Sequence, residues 1–182
     1  MREQIAARLP ARFDATSGLE PLPPAVRYTL RGATAVRGAM AAAGMELPAQ
    51  PCRAISRGGR AALWLGPDEW LLIGAEQDAA ALAGSLEKAL AGIPHSLVDV
   101  SHRQVACELR CPEALVLLAA GCPLDLDERA FPIGMCTRTV LAKAEVVLWR
   151  TSAGAFRLEV ARSFVAYVSQ FLDEAARASG LD

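Results

Sequence analysis

The chain has 182 residues, 53% of them hydrophobic and 21% charged, with 19 Lys and Arg against 20 Asp and Glu and a formal charge of -1 at pH 7. That apolar share excludes intrinsic disorder, and the length suffices for a core, since a domain above roughly 150 residues buries about 70% of its unfolded surface. Balanced charge excludes a general nucleic-acid binder, whose phosphate affinity comes from surplus Lys and Arg. No run approaches the about 20 successive apolar residues of a spanning helix. Residues 1–14 carry charge and proline with no apolar h-region, so neither a membrane segment nor a signal peptide is expected. Five scattered cysteines, Cys52, Cys107, Cys111, Cys122 and Cys136, suit a reducing, cytoplasmic setting.

In chain order, residues 1–24 are expected to form an extended, proline-rich arm, because Pro10, Pro21, Pro23 and Pro24 fix φ and disfavour helix before them. A single domain is expected over residues 25–182. Val26, Tyr28 and Leu30 alternate with polar neighbours, which predicts a half-buried strand. Small helix formers over residues 33–43 predict a helix stopped by Gly44 and Pro48. Residues 60–75 form a hairpin, LWL entering and WLLI leaving a Gly66-Pro67-Asp68-Glu69 turn. Asp78 is placed to cap a helix running to Ala91, with Leu82, Leu86 and Leu90 as its stripe.

Strands are then predicted over residues 97–100 and around Val105, Cys107 and Leu109, separated by a turn at Ser101 to Arg103. Pro112 suits the first residue of a helix that buries Leu115, Leu118 and Ala119 and stops at Gly121. After an irregular span at 125–132, three strands are expected over 135–141, 144–150 and 155–161. Ser163 is placed to cap a terminal helix whose apolar set is Phe164, Val168, Phe171, Leu172 and Ala175. The pattern is that of an α+β domain with a mainly antiparallel sheet and three to four packed helices.

Catalytic chemistry is poorly represented. Asp99, Ser101 and His102 supply the residue types of a hydrolase triad, yet sequence neighbours rarely place a base on a nucleophile with the acid behind it. A capped polar turn is the preferred reading. The cysteines lack paired zinc-knuckle spacing and read as core fillers, with a cysteine enzyme built on Cys107 or Cys136 as a lesser alternative. Neither G-x-G-x-x-G nor a G-K-[ST] ending occurs. Asp125 and Asp127 fall in a charged loop. No catalytic, cofactor-binding or metal-ligating residue is therefore assigned. Interaction features are stronger: Trp64 and Trp70 flank the hairpin turn, and Phe131 sits in an irregular Phe-Pro-Ile run. These three are the interface candidates, since large aromatics are enriched at interface hot spots.

Four segments carry a resemblance: LWLGPDEWLL (residues 63–72), VDVSHRQ (98–104), CPLDLDERAFPIGMCTRT (122–139) and RSFVAYV (162–168). In this order they resemble the gamma subunit of bacterial heterotetrameric sarcosine oxidase. That family is similar in fold to the folate-binding domain of aminomethyltransferase, the glycine-cleavage T-protein. The resemblance implies a non-catalytic assembly subunit of an enzyme that oxidatively demethylates sarcosine to glycine, with hydrogen peroxide and formaldehyde or methylene-tetrahydrofolate. It implies alpha, beta and delta partner subunits that hold FAD, FMN, NAD and zinc, and no cofactor in this chain; neither nucleic acid nor membrane is an expected partner. A folate-type binding module is the alternative. Against it, the aminomethyltransferases have an acidic pair after the strand matching 136–141, where this chain reads Ala142-Lys143-Ala144-Glu145.

Overall fold

The computed structural model describes residues 17–180, so most of the expected N-terminal arm lies outside the described residues. The strands are β1 (Leu19–Pro21), β2 (Ala25–Gly32), β3 (Ala54–Arg57), β4 (Arg60–Gly66), β5 (Glu69–Ala75), β6 (His95–Asp99), β7 (Gln104–Arg110), β8 (Cys136–Leu141), β9 (Ala144–Ser152) and β10 (Ala155–Ala161). The helices are α1 (Ala35–Ala42), α2 (Ala79–Leu90), α3 (Ala114–Ala119) and α4 (Val165–Ala178). This is the α+β class expected, with the strands sorted into two five-stranded sheets. The described residues divide into two units: Pro24–Ser101, and a second made of the described residues before Pro24 together with those from His102 to Gly180. No helix of the described residues is long and apolar enough to cross a membrane.

In the Pro24–Ser101 unit the sheet order is β3-β4-β5-β2-β6, and each of its pairs is antiparallel. The β4–β5 hairpin sets Trp64 opposite Trp70 and Gly66 opposite Glu69, with a bulge between these pairs. Val26, Tyr28 and Leu30 on β2 pack with Leu72, Trp70 and the α2 stripe Leu82, Leu86 and Leu90. Burying each leucine of that stripe is worth roughly 1.5–3 kcal/mol, which anchors a helix otherwise made largely of alanine. Gly74 lets α2 come close, since a Cβ there would stand 2.8 Å from Leu82. Asp78 occupies the cap position of α2 but makes no side-chain cap bond. A 3-10 turn over Glu76–Asp78 leads into the helix instead.

The other unit has sheet order β1-β7-β10-β9-β8, also antiparallel throughout. Cys107 and Leu109 of β7, Val146 and Leu148 of β9, and Phe156, Leu158 and Val160 of β10 share one core with α3 and α4. Three local expectations are corrected here. α3 begins at Ala114 after a turn that contains Pro112, and it buries Ala114, Leu117 and Leu118 while Ala119 is exposed. Ser163 sits inside a 3-10 turn, Arg162–Phe164, and makes no cap for α4. Phe164 faces solvent, because Val165, Val168, Leu172 and Ala176 already complete the buried stripe of α4.

Candidate functional site

Of the triad residue types, Asp99 and Ser101 are committed to holding a backbone turn. β6 ends at Asp99, and the Ser101 backbone N–H donates to Asp99 Oδ1 at 2.9 Å. The Arg27 backbone N–H donates to Ser101 Oγ at 2.9 Å, and the Val100 N–H donates to the Arg27 carbonyl at the same distance. Ser101 thus continues the hydrogen bonding of β2 beyond the end of β6, as short polar side chains do in turns. Its oxygen is occupied as an acceptor for the backbone, while His102 is exposed. The geometry is that of a capped turn.

The loop between α3 and β8 is organised in the same manner. Asp125 Oδ1 accepts from the Asp127 N–H at 3.0 Å, and Asp127 Oδ1 accepts from the Arg129 N–H at 2.9 Å. Arg150 on β9, 2% exposed, reaches under this loop. Its Nη1 donates to the carbonyls of Phe131 (2.9 Å) and Leu126 (3.4 Å), and its Nη2 donates to that of Ala153 (3.0 Å). The guanidinium carbon lies 5.4 Å from the centre of the Phe156 ring, a distance at which the ring's negative face attracts a cation. The sequence segment 122–139, the most specific part of the resemblance, is therefore a loop that is pinned by a buried arginine and runs into the start of β8.

The three aromatic candidates part company. Trp70 and Phe131 are each 1% exposed and fill the two separate cores. Trp70 Nε1 donates to the Pro48 carbonyl at 3.0 Å, which satisfies the indole N–H in the interior. Trp64 is half-buried and packs at the margin of its core. Trp149 is half-buried as well.

One aromatic surface emerges only in the structure. Phe164 and Tyr167 are 41% and 37% exposed and meet edge to face, with ring centres 6.2 Å apart and planes at 88°. The signal was available: the two stand three apart in the 162–168 segment, off the helix's buried stripe.

Among the described residues no three His, Cys, Asp or Glu side chains gather as metal ligands. Cys107, Cys122 and Cys136 are buried. Burial pushes the Cys111 thiol above its ordinary value, opposed by a backbone hydrogen bond at Glu113 and reinforced by the Glu113 charge. A shallow cavity of about 220 Å³ lies beside α1 and the β3–β4 hairpin, lined by residues including Glu46, Ile55, Arg57 and Arg60. It is smaller than the roughly 300–1,000 Å³ of small-molecule pockets. At the position of the missing acidic pair, Ala142 and Lys143 form the two-residue β8–β9 turn, Ala144 is buried, and Glu145 is exposed 4.0 Å from Arg138.

Comparison with known proteins gives a consistent answer. Residues 31–178 match the model of the "Sarcosine oxidase, gamma subunit family". The chain is similar to sarcosine oxidase subunit gamma of Arthrobacter sp, 45% identical over 93 residues that cover 51% of this chain and 45% of the relative. It is also similar to the gamma subunit of Corynebacterium sp. (strain U-96), 35% identical over 145 residues, covering 79% of this chain and 70% of that one. A chain of the heterotetrameric sarcosine oxidase from Corynebacterium sp. U-96 in complex with pyrrole 2-carboxylate superposes with a TM-score of 0.81 at 33% identity, over 88% of this chain and 83% of that chain. Aminomethyltransferase T from Bartonella henselae shares the fold, with a TM-score of 0.63 at 14% identity over 85% of this chain and 44% of that one. With the family match running through both units of the described structure, this chain belongs to the sarcosine oxidase gamma subunit family.

Proposed function

We propose that the chain is a non-catalytic assembly subunit of a heterotetrameric sarcosine oxidase, joined to alpha, beta and delta companions in the cytoplasm. Those companions hold the flavins FAD and FMN, the NAD and the zinc, and carry out the oxidative demethylation of sarcosine. The observation that carries this reading is the family match over residues 31–178. It is supported by the chemistry of the candidate polar groups, since Asp99, Ser101, Asp125, Asp127 and Arg150 are all engaged in holding backbone turns and loops. The folate-binding alternative is not favoured, because the hairpin at 142–145 lacks the acidic pair on which it would rest. Of the aromatic candidates, Trp64 is the one retained as an interface residue, because Trp70 and Phe131 are occupied as core.

Co-expression of the companion subunits with and without this chain tests the proposal. The expected result is that omission lowers the yield of intact, sarcosine-oxidising complex. The purified chain alone should show no turnover of sarcosine. A fully active and equally stable complex formed without the chain would contradict it.

A further inference from the structure

We propose that the small cavity beside the C-terminal end of α1 and the β3–β4 hairpin is a binding site for a small amino acid in its zwitterionic form. The inference stands apart from the assembly reading and concerns the Pro24–Ser101 unit alone. β3 and β4 pair so that Ile55 is opposite Ala62 and Arg57 is opposite Arg60. Gly58 and Gly59 have φ of 59° and 77°, the left-handed pair that a two-residue hairpin turn requires. The turn therefore holds the two arginines directly across from one another. Like charges so placed repel, and residues 47–67 include no Asp or Glu to separate them.

Alternate positions of a strand share a face, so Arg57 and Arg60 continue the row begun by Ile55 and Ala62. Ala62 is buried in the core of this unit, whereas Arg57 is exposed and Arg60 half-buried. The cavity of about 220 Å³ lies at this passage from apolar to charged, lined by all four residues and by Met45. The rest of its lining has the opposite sign. Ala41 and Gly44 bring in the C-terminal end of α1, where aligned peptide dipoles leave partial negative charge. The last turn of α1 carries no basic residue to offset it, and Glu46 follows, exposed at the cavity.

Two guanidinium forks suit a carboxylate, which accepts parallel hydrogen bonds from an arginine. Glu46 and the helix end suit an ammonium group. A plain anion meets the Glu46 carboxylate here, and a plain cation meets two arginines. A molecule with both charges a few bonds apart satisfies both, with its carbon atoms against Ile55 and Met45. The volume is too small for a flavin or a dinucleotide and limits the ligand to a few heavy atoms.

The test is a titration of the purified chain followed by amide NMR shifts at constant ionic strength, with glycine, acetate and methylammonium as probes. Glycine should give saturable shifts centred on residues 44–46 and 57–62, at millimolar concentrations because exposed charge pairs are individually weak. Acetate and methylammonium, each with one of the two charges, should need concentrations about tenfold higher or more. Arg57→Gln with Arg60→Gln should weaken glycine binding by about tenfold or more. Its melting temperature should be unchanged or slightly raised, since a repulsive pair is gone. Glu46→Gln should weaken glycine and leave acetate no weaker, a split that a structural role for Glu46 would not produce. The proposal is overturned if glycine gives no saturable shift at the cavity up to about 100 mM, or if Glu46→Gln leaves glycine binding unchanged. It is also overturned if acetate binds as tightly as glycine, the mark of a plain anion site. The probe comparison uses the unaltered chain, so it decides the matter even should a variant fail to fold.

Discussion

Arg150 stands in an apolar core where a lone cation is costly, and its charge is met by three carbonyl dipoles and one aromatic face. The planar fork explains why arginine serves here, since its two terminal nitrogens reach the Phe131 and Ala153 carbonyls at once. Arg150→Met would leave those carbonyls without their donor, at a cost of about 1–3 kcal/mol each. Urea unfolding should therefore show a loss of roughly 2–4 kcal/mol. Arg150→Lys should recover only part of it, and full recovery by lysine would show that charge rather than the fork matters. Cys111 gives a second prediction at this scale. With its thiol raised mainly by burial, less of it is thiolate near neutrality than in an exposed cysteine. Alkylation localised to Cys111 should be slow at pH 7 and should quicken as the pH climbs past the ordinary thiol range. Rapid labelling that is flat with pH would refute the assignment.

Among the elements, β2, the β4–β5 hairpin and the three strands from β8 to β10 were legible because alternation and turn residues state their period directly. What was not legible is instructive. β3 is four residues long, too short to show a period, and it exists by pairing with β4. Sorting into two sheets depends on long-range pairings such as β2 with β6 and β7 with β10, which no local pattern encodes. Asp78 and Ser163 misled as caps because each lies within a 3-10 turn that feeds its helix. Trp70 and Phe131 misled as interface residues because aromatic content alone does not tell a core from a surface. Gly121 reads as a helix stop, yet its role is close approach: an added Cβ would lie 2.6 Å from Phe171 and 2.9 Å from the Ala142 backbone nitrogen. Since that nitrogen also donates to the Gly121 carbonyl at 2.9 Å, the hairpin cannot retreat freely. Gly121→Ala should destabilise by about 1–3 kcal/mol through overpacking. An unchanged unfolding midpoint would mean that Phe171 and the β8–β9 turn yield without strain.

For the whole molecule, the residue types that suggested chemistry serve the fold: Asp99, Ser101, Asp125, Asp127 and Arg150 hold turns and loops. The motifs of the resemblance divide. The 98–104 and 122–139 segments hold turns and a loop, whereas the 162–168 segment presents an exposed pair of rings. The measurement that tests the central claim most directly is native mass spectrometry of this chain co-expressed with the proposed alpha, beta and delta companions. The account predicts one assembly containing a single copy of each chain, this 19.3 kDa chain included. Companions that assemble fully while this chain stays apart would contradict it.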